Sequence, residues 1–302
     1  MRDVQELVQG PGGPRRGDAR RPDMRVTRHG DLRLTRWADL RLTLRIVALT
    51  FRAQAEYRAE FLLKVAFGVA WQVSIIVFAA VLLGRFPGMG GWPSDAVLLI
   101  AAMRMLSHGL FELFCGRATE LSTIVQAGKI DAYLLRPLPV YRQVQLSIFP
   151  SNALGDLLVG VSMFTSAVVA LDTAWTPLRV AYVGAAVAGG ALMEGAIFTL
   201  LSALQLRLPA GLSWSRWVEE LLSTFGNYPL KILPGVVNGA FTFILPLAFV
   251  AYFPAATLTG NTSGLGVPAA LAAAAPLAGL AGFVGSRLLW NFALRHYTGV
   301  NG

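Results

Sequence analysis

Apolar positions along this chain gather into six long runs, at roughly 61–84, 95–115, 146–171, 179–204, 235–254 and 268–290. A helix rises about 1.5 Å per residue and the hydrocarbon core of a bilayer is about 30 Å thick. Runs of this length therefore predict six transmembrane helices. The second run is the least apolar, and Pro246 interrupts the fifth. Ahead of the first run the pattern changes. Asp31-Leu-Arg-Leu-Thr35 recurs as Asp39-Leu-Arg-Leu-Thr43, a step that keeps helix phase. Leu40, Leu44, Ala48 and Phe51 follow at helical spacing, flanked by Arg41, Arg45 and Arg52. This predicts an amphipathic helix within residues 31–60, lying in the membrane interface with its arginines toward lipid phosphates. Residues 1–30 are rich in Gly, Pro and Arg and have little to bury, so they read as a disordered tail. Two readings of that tail stay open: its arginines tether it to anionic lipid, or it has no role.

Composition fixes the class. The 302 residues are 55% hydrophobic and 14% charged, against about 25% charged in soluble domains. The mean hydropathy is +0.55. No soluble core absorbs that much apolar surface, so the expectation is an all-α integral membrane protein. Its six-span domain would cover residues 61–302, after the tail and the interfacial helix.

The net charge of +9 is unevenly placed, because half of the 26 basic residues are arginines before residue 60. With the N-terminus in the cytoplasm, the inner segments hold Arg117, Lys129, Arg136, Arg142, Arg207, Arg216, Lys231 and Arg295. The outer loops hold Arg85 and Arg179, at span edges. The positive-inside rule then predicts that both termini are cytoplasmic. The first apolar run starts near Phe61, too late for a secretory signal. The abundance of Arg, Ala and Gly over Lys and Asn points toward a bacterial source, hence a bacterial cytoplasmic membrane. The single cysteine, Cys115, gives no disulfide framework, and His29, His108 and His296 are far apart.

Two groups of residues carry candidate function. The first inner loop, residues 116–143, contains GKIDAYLLRPLP from Gly128 to Pro139. Ala118 to Gln126 suits a short helix with Leu121, Ile124 and Val125 on one side, and Gly128 would end it in left-handed geometry. Ile130 to Leu135 would form a further turn stopped by Pro137 and Pro139. The product is a cytoplasmic helical hairpin with exposed Tyr133, Leu134 and Leu135, which also carries Lys129, Asp131 and Arg136 and is larger and more apolar than a plain connector needs. The second group lies within the spans. Arg104, His108 and Glu112 share one helix face, and Asp156 and Glu194 are candidate counter-charges. Intramembrane ionisable residues face a bundle interior or a water-filled path. They could line a transport path, border a second subunit, or form an internal ion pair that fixes packing. A further segment places Trp214, Trp217, Val218, Leu221 and Phe225 on one face, with Arg216, Glu219 and Glu220 off it. It reads as an interfacial helix, or as a helix packed under the bundle.

The sequence carries no Walker loop, no His-Glu-x-x-His site and no Gly-x-Ser-x-Gly elbow, and its basic tail lacks the aromatic interleaving of a nucleic-acid module. Uphill transport would then draw on a separate ATPase or on an ion gradient through the intramembrane charges. A membrane enzyme would need a clustered nucleophile or metal site, which is not seen.

Gly128-Lys-Ile-Asp131 with Leu134-Leu-Arg-Pro-Leu138 is one stretch that resembles a known family. Tyr228-Pro229, Phe241-Thr-Phe-Ile-Leu-Pro-Leu-Ala-Phe249 and Tyr252-Phe-Pro-Ala255 form the other. Over residues 38–298 the chain resembles the membrane subunits of ABC-2-type ABC transporters. The resemblance implies an exporter permease whose partners are two ABC ATPase subunits and a second permease, related or identical. It places ATP and Mg on the ATPase and no cofactor in this chain. It also implies that the first inner loop is the coupling region, with Leu121, Ile124, Lys129, Asp131, Tyr133, Leu134, Leu135 and Arg136 toward the ATPase, and that this region and the helix before the first span together receive the ATPase's motion.

Overall fold

The structure is a computed structural model that describes residues 36–85, 89–136, 138–171, 174–207 and 214–297. The tail expected over residues 1–30 lies outside the described residues. Helices α1 (Arg36–Glu56), α2 (Arg58–Arg85) and α3 (Ser94–Cys115) come first. Three short helices follow, α4 (Ala118–Gln126), α5 (Ile130–Leu134) and α6 (Val140–Gln145). Then come α7 (Asn152–Ala170), α8 (Pro177–Gln205) and α9 (Trp214–Phe225). Among the described residues the extended structure is one isolated bridge between Met89 and Trp92.

Five helices are long and apolar enough to cross a membrane: Arg58–Val77 within α2, then α3, α7, α8 and the last helix, Ala275–Arg295. They pack as a row, α2 on α7, α7 on α3, α3 on α8, and α8 on the last helix. Glycines set the spacing. A Cβ on Gly279 would lie 2.0 Å from the Gly189 carbonyl oxygen, and one on Gly155 would lie 2.4 Å from that of Val65. In lipid no hydrophobic force favours one helix pairing over another, so close backbone approach supplies the packing energy. The row has a Trp92 end, where α3 begins, and a Cys115 end, where α3 stops.

The fifth apolar run is not one helix. It forms α10 (Gly235–Gly239), a π-helical turn over Ala240–Ile244, a 3₁₀ turn over Leu247–Phe249 and α11 (Tyr252–Thr259). Contacts trace its path. Ile232, just before it, reaches 3.1 Å from the Cβ position of Gly90 at the Trp92 end. The Val250 carbonyl lies 2.5 Å from the Cβ position of Gly190, which also faces Ser107, both partway along their helices. The Tyr252 ring is back at Trp92, 5.3 Å between centroids. Residues 235–259 are therefore a hairpin that dips into the row and returns to the same end. The cause is local. Pro246 has no N–H and clashes with a helical turn, so the helix cannot continue. The broken backbone at the tip is tolerated because protein surrounds it: Leu247, Ala248, Phe249 and Val250 are all buried.

The chain reaches the Trp92 end through α9 and the 3₁₀ turn Leu230–Ile232, which corrects a second expectation. Instead of lying beneath the bundle, α9 touches α4 at one end and then climbs along it. A Cβ on Gly226 would fall 2.7 Å from Arg104 Nε, halfway along α3. Lys231, expected at the inner side, has its Nζ 3.2 Å from the Cβ position of Gly264, in the loop after α11 at the Trp92 end. The last run becomes α12 (Ala269–Ala273) and α13 (Ala275–Arg295), and the third begins later than expected, at Asn152. α1 is continuous over Arg36–Glu56 and leaves Leu44, Leu49 and Phe51 exposed.

Candidate functional site

Arg104 and His108 of α3 face α8, and Glu194 of α8 sits between them. Arg104 Nη1 is 2.9 Å from Glu194 Oε1, and His108 Nδ1 is 2.9 Å from Glu194 Oε2. Glu194 is fully buried and Arg104 nearly so. One helical turn separates the two α3 residues and puts both on one face. Gly190, on the turn of α8 before Glu194, brings that helix against Ser107, 2.5 Å from Oγ to its Cβ position. The Arg104 contact is an ion pair by distance only. Glu194 Oε1 and Arg104 Nε both lack an aligned hydrogen-bond partner. Phe111 packs on His108 and stacks on Phe198, 5.9 and 5.2 Å between ring centroids.

The other two candidates make no ion pair with this trio. Asp156 accepts a hydrogen bond from Gln72 Nε2 at 3.1 Å and so ties α7 to α2. Glu112, one turn beyond His108, is half-buried and has no ion-pair partner among the described residues.

The trio opens into a cleft of about 740 Å³. Trp71 and Ile75 of α2 form one wall, and Arg216, Glu219, Glu220 and Asn227 form another. The last four were not among the expected site residues, because α9 was read as lying in the interface. Their signal was present: Arg216, Glu219 and Glu220 at one-turn spacing on a helix that buries Val218 and Leu222 on its opposite side. The cleft holds charges of both signs beside an aromatic wall, so it can receive an amphiphilic or polar solute at mid-depth. Among the described residues no group of three or more His, Cys, Asp or Glu could hold a metal ion.

The loop at the Cys115 end forms the second candidate site. α4 closes in a Schellman motif, in which Gly128 N–H donates to the Val125 carbonyl and Lys129 N–H to that of Ile124, both at 3.0 Å. Gly128 has φ +66°, the left-handed geometry expected of it. The hairpin is fixed to the bundle on its inner side. Leu121, Ile130, Val140 and Val144 are buried, and Ser202 Oγ of α8 donates to the Ala118 carbonyl at 3.0 Å. Arg117 pairs with Glu120, and Gln145 Nε2 donates to the Cys115 carbonyl at 3.2 Å.

This burial corrects one expectation. Leu121 is 0% exposed and cannot touch a partner, because the apolar side of α4 packs on α8. Ile124 is half-buried on the same core, and Tyr133 is half-buried rather than free. The outward surface is Lys129, Asp131, Leu134, Leu135 and Arg136, with Leu135 86% exposed. The Arg136 guanidinium stands 5.6 Å from the Tyr133 ring centroid. Gln143 Nε2 pins the turn from below by donating to the Tyr133 carbonyl at 2.9 Å.

Described residues that are essentially all helical, with five helices of membrane length, a charged cleft midway along them and a hairpin fixed to one end, make a multi-pass membrane protein. Residues 69–301 match the family model described as ABC-2 family transporter protein, and the chain belongs to that family. It is thus a membrane permease of an ABC system and not itself the ATPase. No curated protein and no solved structure matched it.

Proposed function

We propose that this chain is the permease subunit of an ATP-driven exporter in a bacterial cytoplasmic membrane. It works with two ABC ATPase subunits, which carry the ATP and Mg, and with a second permease, related or identical. The observation that carries the proposal is the hairpin. Its inner side is built into the bundle, while Lys129, Asp131, Leu134, Leu135 and Arg136 form an outward face of mixed charge and exposed leucine. A family permease without its own nucleotide site needs such a face to receive the ATPase.

The side assignment follows from charge. Arg117, Lys129, Arg136, Arg142, Arg207 and Arg295 lie toward the Cys115 end, whereas Arg85, Arg179 and Lys231 lie toward the Trp92 end. By the positive-inside rule the Cys115 end is cytoplasmic. Residues 214–232 then supply the sixth crossing in place of 235–254, and both spans flanking the hairpin are reached from the cytoplasm. α1, with exposed Leu44, Leu49 and Phe51, lies along the inner interface. The cleft between α2 and α9 is the solute path, completed by the second permease. Its polar trio Arg104, His108 and Glu194 faces that path.

Co-purification tests the reading. The tagged chain should bring down ABC ATPase subunits. Leu135→Asp with Arg136→Glu should strip them away while leaving the chain folded. Full retention of the ATPase by that double variant would sink the coupling assignment.

A further inference from the structure

α4 packs directly on α8, while the link from the hairpin's base to α13 runs through Tyr141 of α6. Tyr141 is buried, with Cys115 and Gln145 beside its hydroxyl and three further contacts to α8 and α13. Its hydroxyl is hydrogen-bonded to Thr199 Oγ1 of α8 at 3.1 Å. The Arg287 guanidinium carbon of α13 stands 3.5 Å from its ring centroid. Trp290 of α13, fully buried, meets the ring edge-on at 6.3 Å. Arg287 has no carboxylate within ion-pair distance among the described residues, and its Nη1 is buried with no hydrogen-bond partner. An arginine in a membrane helix ordinarily finds an anion or snorkels to water. Here the ring face of a loop residue takes that place.

We infer that Tyr141 is the positioning residue through which movement of the hairpin reaches α13. This rests on the reading that the ATPase acts on the hairpin. The physics suits the task. A bidentate arginine–carboxylate pair fixes one geometry, whereas a guanidinium over a ring keeps its attraction while the two surfaces slide. The hydroxyl bond to Thr199 sets the resting position, and the stack keeps α13 attached as α6 shifts. Burial pushes the Tyr141 hydroxyl up to about 12, so it stays protonated at all working pH values and the link is not switched by pH.

Spin-label distances on the assembled complex with its co-purifying ATPase test this, in a Cys115→Ser background that keeps a hydrogen-bonding group beside Tyr141. One label pair reports the hairpin, Ala127→Cys with Leu158→Cys. The other reports the far end of the row, Val169→Cys with Leu277→Cys. Addition of ATP to the parent should shift both distances, by about 2 Å or more. In Tyr141→Leu, and separately in Arg287→Gln, the hairpin distance should still shift and the far distance should not. Tyr141→Phe, which keeps the ring, should retain the far shift. A full far shift in both Tyr141→Leu and Arg287→Gln overturns the inference while leaving the hairpin reading intact. A hairpin pair blind to ATP in the parent overturns both.

Discussion

Removing Glu194 tests the geometry of the mid-depth trio most directly. Its carboxylate is wholly enclosed and serves two neighbours, the Arg104 guanidinium at 2.9 Å and the His108 imidazole at 2.9 Å. Glu194→Ala leaves the Arg104 charge buried without its anion, and breaking a buried pair in this way costs about 3–5 kcal/mol. At about 2–4 °C per kcal/mol for a chain of this size, the expected loss of melting temperature is roughly 6–20 °C. The double variant Arg104→Met with Glu194→Met removes both charges and fills the space with apolar atoms. Replacing a whole buried pair is often close to neutral, so the double should recover most of the loss. The coupling between the two positions should be about 2 kcal/mol. The assay is thermal unfolding of the detergent-purified chain, followed by tryptophan fluorescence, for the parent, both singles and the double. A Glu194→Ala melting point within about 1 °C of the parent would refute the buried pair, as would additive losses to within about 0.5 kcal/mol.

Topology can be read by chemistry. Lys231→Cys should react with a membrane-impermeant maleimide added outside, and Arg136→Cys only after the membrane is opened. Labelling of both from one side would undo the path traced for residues 214–232. On the hairpin, Leu121→Ala should destabilise by about 2–5 kcal/mol, since that side chain is enclosed. Leu135→Ala, at an exposed site, should change stability by no more than about 0.5 kcal/mol yet lower the yield of co-purified ATPase. Gly279→Val should lower the melting point by forcing α13 away from α8, where a Cβ already has 2.0 Å to the Gly189 oxygen. Circular dichroism with a melting curve decides it, and an unchanged curve would mean that the helices cross elsewhere.

Much of this was legible in the residue pattern. Long apolar runs gave α2, α3, α7, α8 and α13, because lipid imposes helix and a length on any such run. The loop from Ala118 to Leu134 was legible for a different reason. Gly128 and the following prolines are backbone instructions, independent of what surrounds them. The pairing of Glu194 with Arg104 and His108 was one of two candidate partnerships. Charge alone could not choose it over Asp156, since the choice depends on which helix packs against α3. Leu121 was assigned to the right face of α4, but a face says nothing of whether the bundle or a partner covers it.

Residues 214–232 and 235–259 show where hydropathy stops working. A window average assumes that a membrane segment faces lipid. α9 carries Arg216, Glu219 and Glu220 toward a cleft, so its average is too polar to register, although Val218 and Leu222 are buried against the bundle. The hairpin is the converse case. Its tip is apolar because Leu247 to Phe253 are enclosed by α3, α8 and α13, not because it spans. Both errors have one source: burial in protein and burial in lipid select the same residue types. The features that separate them are local. Pro246 forbids a continuous helix, and charges one turn apart on α9 require a polar neighbour. A polar helix set beside a proline-broken apolar run is therefore better read as a helix that lines a cavity, followed by a segment that enters the protein and turns back.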